Sequence, residues 1–421
     1  MTDRLKKIPQ KYINALRLIG ILAQGPLHSA LSPNVRPFGV LFYKIMGATA
    51  CFHFVPYVAV LQSVHIATAL MLWLFLRRLG LRSLPSALGC AFFILHMSTL
   101  TAYWKPMYIL DVFCGFRTIA SLLLYQRGRF FLSLLYAWLA FKSKEMELML
   151  PIVLLLYEWQ FGETRVLGRR PWISLVPFFL MSLSFGVQSL RLPPGPESQY
   201  SMHLSGASLW LGVAFYAGKM LYAPLSGLIV SIGLLCLRSR VITFGVLGFW
   251  ILLLPILGFR GRQYGAYLYV PLLALAIAVA GVAQLKPRWA ALFLMFWIPA
   301  SYDEWKTGRN PILAYHYEHI PHVAQVRESL AAHPAPQAVV FEGTPVDFAG
   351  FGQEGLFTDA LAKYDLPVYS LAQPEGLSTL RQPGAVPYVW DLPRHQLHTI
   401  AYPGEGHEIS YLDFAPNSRC A

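Results

Sequence analysis

Long apolar stretches separated by short basic loops fill the first three quarters of the chain. A bilayer core of about 30 Å needs about 20 apolar residues in helical conformation. Ten stretches approach that length, namely 55–76, 83–103, 107–125, 129–141, 146–161, 171–188, 221–237, 241–259, 264–285 and 289–302. The fourth and fifth are short and require tilt or local bilayer thinning. A further apolar piece, 207–219, is better explained as an interfacial or re-entrant helix.

The loops between these stretches are alternately rich and poor in basic residues, and this pattern predicts how the chain is oriented in the membrane. Lysine and arginine are enriched in cytoplasmic loops. One face receives twelve basic residues: Arg77, Arg78, Arg82, Arg127, Arg129, Arg165, Arg169, Arg170, Arg238, Arg240, Lys286 and Arg288. That face is predicted to be cytoplasmic. The opposite, outer face receives both ends of the chain and the loops near residues 105, 142–147, 189–206 and 260–264.

The N-terminal segment 1–54 does not fit this orientation easily, because it carries several lysines and arginines on the outer face. Either the gene begins upstream of Met1 with one more helix, or the segment reaches the membrane by another route. We favour the upstream helix, since unassisted export of a basic segment is the rarer event.

The end of the chain has a different composition. Residues 1–302 hold 27 basic and 7 acidic residues, whereas 303–421 hold 7 basic and 14 acidic ones. Short strand-like runs at 338–341 and 368–369 alternate with helix-like ones. With 56% hydrophobic and 13% charged residues overall, the chain is not a soluble enzyme. We predict an α-helical polytopic membrane protein, with an outer segment 1–54, a transmembrane domain 55–302 and a small extracytoplasmic α/β domain 303–421.

Charged residues on the outer face are the main candidates for chemistry, because lysine and arginine are disfavoured there. The segment 141–147 places four charges in six residues between two apolar stretches. Its lysines, Lys142 and Lys144, could hold an anionic head group while Glu145 orients the two lysines, and the alternative is a solvated turn between two spans. We favour the functional interpretation.

Four more outer residues join these candidates. Arg260 and Arg262 flank a glycine and could clamp a phosphate, or they could contact lipid phosphates instead. Asp111 is a carboxylate at membrane depth, which must face protein or water, and its structural alternative is a partner for Lys105 or Arg117. Arg36 precedes the first apolar stretch and could join the same anion site or serve as an interfacial anchor.

Other patterns give little support for further chemistry. His316, His319 and His322 are predicted to form a surface cluster rather than a metal site, because no acid or cysteine of ligand spacing accompanies them. His65 and His96 are expected to be hydrogen-bonded bundle residues. The five cysteines indicate neither a disulfide framework nor a thiolate metal site. The sequence contains no glycine-rich phosphate loop, serine nucleophile elbow or nucleic-acid motif.

The order of several short motifs is similar to that of a known family. The motifs are Arg36-Pro37, residues 65–70, residues 76–80, residues 92–96, Asp111, Ser143-Lys144-Glu145, Leu150-Pro151, residues 154–159 and residues 267–271. Over roughly 33–285 this order resembles the GT-C polytopic membrane glycosyltransferases. The resemblance is strongest to bacterial relatives of protein O-mannosyltransferases and to the transmembrane mannosyltransferases with tetratricopeptide repeats, which this chain lacks.

The resemblance implies an enzyme of the bacterial inner membrane. Such an enzyme takes a sugar from a polyprenyl-phosphate-linked donor and transfers it to a glycan, lipid or protein acceptor on the extracytoplasmic face. Membrane lipid is then a partner and nucleic acid is not. The resemblance demands no cofactor, and it leaves open whether the enzyme uses a divalent metal ion. The implied phosphate ligands are Arg36, Lys105, Lys144, Arg260 and Arg262.

The acidic residues have implied roles of their own. Family members place an acidic residue in the first outer loop, and Asp3 is the one acid before Asp111 in this chain. We therefore expect Asp3 to act as the base, with Asp111 and Glu145 in support. The family also tends to carry an arginine where this chain has Ala266, and Arg262 lies four residues earlier.

Two other functions compete with this expectation. A non-catalytic protein that binds or transports a lipid-linked sugar would keep the outer basic cluster but need no base. A general solute transporter is less favoured, because the sequence shows neither broken helices nor an inverted repeat.

Overall fold

The computed structural model describes the following residues: 37–50, 54–162, 171–190, 203–259, 263–308, 338–342, 368–370, 378, 385–391 and 396–399. The chain divides into two compact units, Met1–Gly308 and Arg309–Ala421. The predicted boundary lay after residue 302, but a helix there continues to residue 308.

The described part of the first unit consists of helices joined by short turns. These helices are α1 (Pro37–Ala50), α2 (Phe54–Arg78), α3 (Ser83–Ile94), α4 (Leu100–Trp104), α5 (Ile109–Gln126), α6 (Phe130–Phe141), α7 (Leu150–Phe161), α8 (Pro171–Leu190), α9 (Gly206–Leu221), α10 (Ser226–Leu235), α11 (Arg240–Leu257), α12 (Tyr269–Leu285) and α13 (287–308).

Several of these helices are long and apolar enough to cross a membrane. Within the described residues there are four: α2, α5 with its preceding turn, α11, and α12 with its preceding turn. Two bent pairs, α3 with α4 and α9 with α10, pass the same test and raise the number to six. The chain is thus a helical, membrane-embedded protein, as predicted, and the count of ten spans stays a prediction. Helices α6 and α7, with 12 residues each, are short, as their sequences indicated.

Helix α12 is the central element of the bundle. Its sequence is apolar on all sides. In the stretch Gly265–Leu285, which is α12 with its preceding turn, 83% of the 18 most apolar consecutive residues are buried inside the protein. Small residues let neighbouring backbones approach it: a Cβ on Gly89 of α3 would lie 2.6 Å from the Ala276 carbonyl oxygen, and one on Gly245 of α11 would lie 2.7 Å from that of Ala274. Such close contacts are typical of helix packing in membranes.

Four short 3-10 turns form a layer at the predicted outer face. They are Met97–Thr99, Pro106–Tyr108, Glu145–Met149 and Gly265–Leu268, and they directly precede α4, α5, α7 and α12. Two of them touch, because Gly265 packs against the Ser98 carbonyl oxygen with no room for a Cβ. This layer carries the residues of the candidate site.

Two apolar helices are broken, and their breaks contact each other. The α3–α4 pair bends by 43° near His96 and the α9–α10 pair by 79° near Tyr222, which has a left-handed φ of 62°. The His96 ring bonds the Met220 carbonyl oxygen (Nε2 to O, 3.0 Å), and the Met97 N–H donates to the Tyr222 hydroxyl at 2.8 Å. The expectation that broken helices are absent was wrong. The backbone groups that lose their helical partners at the breaks form hydrogen bonds with residues more than 120 positions away, and a sequence pattern does not show such bonds.

The second unit contains a four-stranded sheet of order β2-β1-β3-β4. Its strands are β1 (Ala338–Glu342), β2 (Val368–Ser370), β3 (Ala385–Asp391) and β4 (Gln396–Thr399). Strand β1 is parallel to β2 and β3, with Val340 opposite Tyr369 and Pro387, and β4 is antiparallel to β3. The helices predicted for this tail lie outside the described residues, so its α/β class stays a prediction.

Candidate functional site

An ion pair joins Asp111 to Lys144 within the outer layer. Asp111 lies in the first turn of α5, and Lys144 directly precedes the Glu145–Met149 turn. The Lys144 ammonium donates to the Asp111 carboxylate, and the two residues are 7% and 2% exposed. The same ammonium lies 4.2 Å from the centre of the Tyr267 ring. Two buried charges in contact compensate each other's loss of hydration only in part.

This pairing differs from the structural alternative considered for Asp111. The ion pair of Asp111 is formed with Lys144 and not with Lys105 or Arg117. The Arg117 guanidinium instead donates to the Ser143 hydroxyl and, at 3.1 Å, to the Leu139 carbonyl oxygen. It also lies 3.8 Å from the centre of the Phe38 ring. Arg117 therefore fastens α5 to the end of α6 and to α1.

In the charged segment 141–147, every side chain that the structure describes is buried and none is solvated. Lys142 and Ser143 are 5% and 0% exposed, and Glu147 is fully buried. The Lys142 ammonium lies 4.7 Å from the centre of the Phe185 ring in α8. Burial of this kind on a chain's outer face is costly, and it indicates a role beyond solubility.

Glu147 is a member of the site that the sequence prediction missed. Its Oε1 accepts hydrogen bonds from the Thr118 hydroxyl and, at 3.5 Å, from the Cys114 thiol. Its Oε2 has no hydrogen-bond partner in the described part of the chain. A signal was present, since the predicted span 146–161 contains this acid as its second residue. An acid inside an apolar span is a functional candidate by default.

The helical spacing of α5 brings these groups together. Asp111, Cys114 and Thr118 follow the i, i+3, i+7 pattern of one helix face, and that face meets Lys144 and Glu147. The neighbouring Gly115 accommodates the Tyr269 ring, because a Cβ there would lie 2.6 Å from that ring. The Tyr269 hydroxyl in turn bonds the His65 Nδ1 at 2.8 Å.

Both histidines in the bundle form hydrogen bonds as predicted, although the buried Nε2 of His65 has no partner within the described residues. His65 stacks on Tyr103 with ring centres 4.5 Å apart, in addition to its bond with Tyr269. His96 bonds Met220 and lies 3.3 Å from the Tyr222 hydroxyl. No three His, Cys, Asp or Glu side chains lie close enough to hold a metal ion in the described ranges.

Two lysines outside the helices, Lys105 and Lys142, have a lowered pKa. Burial lowers the pKa of Lys105, which precedes the Pro106–Tyr108 turn, and also that of Lys142. The physical cause is the loss of water around a charged ammonium. An approaching anion would restore that lost stabilisation, so both positions suit a negatively charged partner.

Several predicted site residues lie outside the described residues, namely Asp3, Arg36, Arg260 and Arg262, and so do His316, His319 and His322. The backbone of Glu145 is described as the first residue of its turn, but its side chain is not. Of the predicted set, the structure therefore brings Asp111 and Lys144 together and places Lys105 between α4 and the next turn.

A third buried carboxylate, that of Glu158, lies near the opposite end of α5. The Tyr125 hydroxyl donates to Glu158 of α7 at 2.7 Å and lies 3.3 Å from the Ser174 hydroxyl of α8. This group fastens three helices near the predicted cytoplasmic face. It is separate from the outer cluster, since Tyr125 lies 14 residues beyond Asp111 on the same helix.

Comparison with protein-family models, curated proteins and solved structures finds no match for this chain. Its function must therefore be argued from the site. The outer cluster offers an ammonium and two carboxyl groups at low dielectric, beside a tyrosine ring. Such a set can hold an anion on Lys144 and can hold or release a proton on a carboxyl group.

Proposed function

We propose that this protein is a membrane glycosyltransferase of the GT-C type. It would transfer a sugar from a polyprenyl-phosphate-linked donor to a glycan, lipid or protein acceptor on the extracytoplasmic face of the bacterial inner membrane. The observation that carries this proposal is the buried Asp111–Lys144 pair in the outer layer of an apolar helical bundle. A donor whose tail lies in the bilayer presents its phosphate at this depth.

Each residue of the predicted set receives a role. The phosphate of the donor would be held by Lys144, with Lys105, Arg36, Arg260 and Arg262 as further cations. Asp3 would take the proton of the acceptor hydroxyl, with Asp111 and Glu145 in support. Sugar transfer would then invert the configuration at the sugar carbon. The tail 303–421 would lie on the same face and help to select the acceptor.

Transfer can be measured directly on the full chain in proteoliposomes. Polyprenyl-phosphate hexose with a radiolabelled sugar is supplied together with an extract of bacterial envelope acceptors. The wild-type protein should move the label into a fraction without polyprenyl and release polyprenyl phosphate. Lys144→Ala and Asp3→Asn should each reduce this transfer by at least about a hundredfold.

Lys219→Ala provides the matched control. Lys219 forms the other ion pair of the described bundle, with Glu304 at 2.6 Å, but this pair is partly exposed. The variant should transfer sugar at the wild-type rate. Full activity of a folded Lys144→Ala protein would remove Lys144 from the site, and absence of transfer by the wild type would count against the enzyme.

A second function is favoured by one observation. The two broken helix pairs contact each other at their breaks, and discontinuous helices commonly surround the substrate site of transporters. A lipid-linked-sugar transporter or binding protein would use the same cations. It would move a fluorescent polyprenyl-phosphate sugar across the bilayer of proteoliposomes without breaking the sugar–phosphate bond. Asp3→Asn would then have no effect.

A further inference from the structure

The Asp111–Lys144 pair has no net charge, and this matters for any phosphate that Lys144 binds. The Asp111 carboxylate contacts the same ammonium that would face the ligand. A phosphate brought to Lys144 would therefore lie close to a second negative charge in a water-poor site. Like charges at such a distance repel strongly at low dielectric.

The proposed reaction increases that difficulty. The donor is a phosphodiester with one negative charge, whereas the released polyprenyl phosphate is a monoester that approaches two negative charges at neutral pH. The acceptor hydroxyl loses one proton in the same step. The site must therefore receive one additional negative charge and one proton.

We propose that Asp111 and Lys144 separate during the reaction, with Asp111 taking up the proton and Lys144 pairing with the departing phosphate. This inference rests on the proposed function and deepens it. Asp111 acts as the store for the proton, and Lys144, which Asp111 shares with the donor phosphate at first, pairs with the departing phosphate alone once Asp111 is neutral.

The step is balanced in atoms and charge. The bond between the sugar carbon and the phosphate oxygen breaks, and its electron pair stays on that oxygen. The acceptor oxygen forms the new bond to the sugar carbon, and its proton passes through the base to Asp111. The phosphate gains one negative charge while Asp111 loses one, so the charge around Lys144 does not change. Nothing is oxidised or reduced.

The groups around Asp111 are compatible with this exchange. Among the described residues, the titratable and charged side chains on the elements packed near it include Cys114 and Arg117 of α5, Lys105 and Tyr108 before α5, Lys142 and Glu147 near the Glu145–Met149 turn, Tyr216 of α9, Tyr267 and Tyr269 near the start of α12, Tyr43 of α1, Tyr57 and His65 of α2, Tyr103 of α4 and Tyr136 of α6. The tyrosines and the thiol are neutral at physiological pH. Within the described residues, Arg117 bonds Ser143 and Leu139, and the ion pair of Asp111 is formed with Lys144. When that ammonium turns to a phosphate, a proton on Asp111 replaces the positive charge that has moved away.

Proton uptake on carrier binding tests this exchange. Binding of polyprenyl phosphate to the full chain in detergent is measured by titration calorimetry at pH 8, in HEPES and in Tris, whose ionisation enthalpies differ. The wild-type protein should take up about one proton for each carrier bound. Asp111→Asn mimics the protonated side chain, so it should bind the carrier without proton uptake and about tenfold more tightly.

Two further variants identify the group that takes the proton. Glu147→Gln should retain the uptake of about one proton, whereas Lys144→Met should lose carrier binding. Lys219→Ala should behave as the wild type. Wild-type binding without proton uptake would overturn the exchange, and so would uptake that survives in Asp111→Asn but disappears in Glu147→Gln.

The wild-type measurement alone decides the point if a variant does not fold. It also separates the two proposals made for this site. If the wild type does not bind polyprenyl phosphate in either buffer, the proposed function itself fails. If it binds the carrier without a proton, only the exchange of partners fails.

Discussion

The Lys144 ammonium contacts the Asp111 carboxylate across 33 positions of sequence, and both side chains are almost completely buried. This contact fastens the segment after α6 to the first turn of α5. Since α5 and α6 form a hairpin, the pair locks the open end of that hairpin. The same pair supplies the charges on which the proposed chemistry depends, so its contributions to stability and to function must be separated.

Removal of one partner of this pair should destabilise the protein more than removal of both. Asp111→Leu or Lys144→Met leaves a buried charge without its partner, at an expected cost of about 3–5 kcal/mol. The double variant carries no such charge and should recover most of that loss. Thermal unfolding of the purified proteins in detergent measures the difference. A loss in the double variant equal to the sum of the two single losses would show that Asp111 and Lys144 do not stabilise the protein as a pair.

Close packing around α12 predicts a contrast between two glycines. Gly245→Ala places a Cβ 2.7 Å from the Ala274 carbonyl oxygen and even closer to the Ala278 nitrogen, so α11 must move away. We expect a loss of about 1–3 kcal/mol. Gly233→Ala in α10 meets nothing within 4 Å and should be neutral or stabilising by up to about 1 kcal/mol. Melting temperatures of the two variants check this contrast, and similar values would contradict the packing of α11.

The stability of the protein should depend on the shape of the side chain at position 147 more than on its charge. Glu147→Gln keeps an oxygen to accept from Thr118 and Cys114, and it removes the need to bury a charge. Its stability should therefore stay within about 1 kcal/mol of the wild type. Glu147→Ala leaves a cavity and two donors without an acceptor, with an expected loss of about 2–5 kcal/mol. Unfolding of both variants in detergent measures this, and a severe loss in Glu147→Gln would show that the ionised form is required.

The predicted orientation can be tested on one exposed thiol. Cys236 at the end of α10 is exposed, whereas Cys90 and Cys114 are buried. In a protein with Cys51→Ser and Cys420→Ser, a membrane-impermeant maleimide should label Cys236 in inverted membrane vesicles and not in intact spheroplasts. The reason is that the neighbouring Arg238 and Arg240 predict a cytoplasmic position for this loop. Labelling in spheroplasts alone would reverse the orientation.

Much of the bundle was predictable from the sequence, because burial in lipid imposes a length and a composition on each helix. The apolar stretches at 55–76, 107–125, 241–259 and 264–285 coincide with α2, α5, α11 and α12. The shortness of α6 and α7 was also evident. The break near His96 was not, because no glycine or proline lies between Ile94 and Met97, whereas Pro224 lies within the break near Tyr222 and was a signal for it.

The sequence predicted that Asp111 and Lys144 both belong to the candidate site, but it did not predict that they pair with each other. Asp111 and Lys144 were both selected because each is a charge at an unfavourable depth, yet Asp111 was matched with Lys105 or Arg117 as its alternatives. Glu147 was passed over in favour of its neighbour Glu145. A turn of 3-10 geometry brings the Glu147 carboxylate to Thr118 and Cys114, and such turns have no strong sequence signature.

The sequence by itself determined that this chain lies in a membrane as a helical bundle, because runs of about 20 apolar residues cross a bilayer as helices whose backbone hydrogen bonds are internal. It also determined the charge contrast between residues 1–302 and 303–421. Tertiary structure alone decided that Lys144 meets Asp111 and that Glu147 meets Thr118, since these contacts join segments about 30 residues apart. Their formation depends on how α5, α6 and the outer turns pack, and packing is a property of the whole bundle.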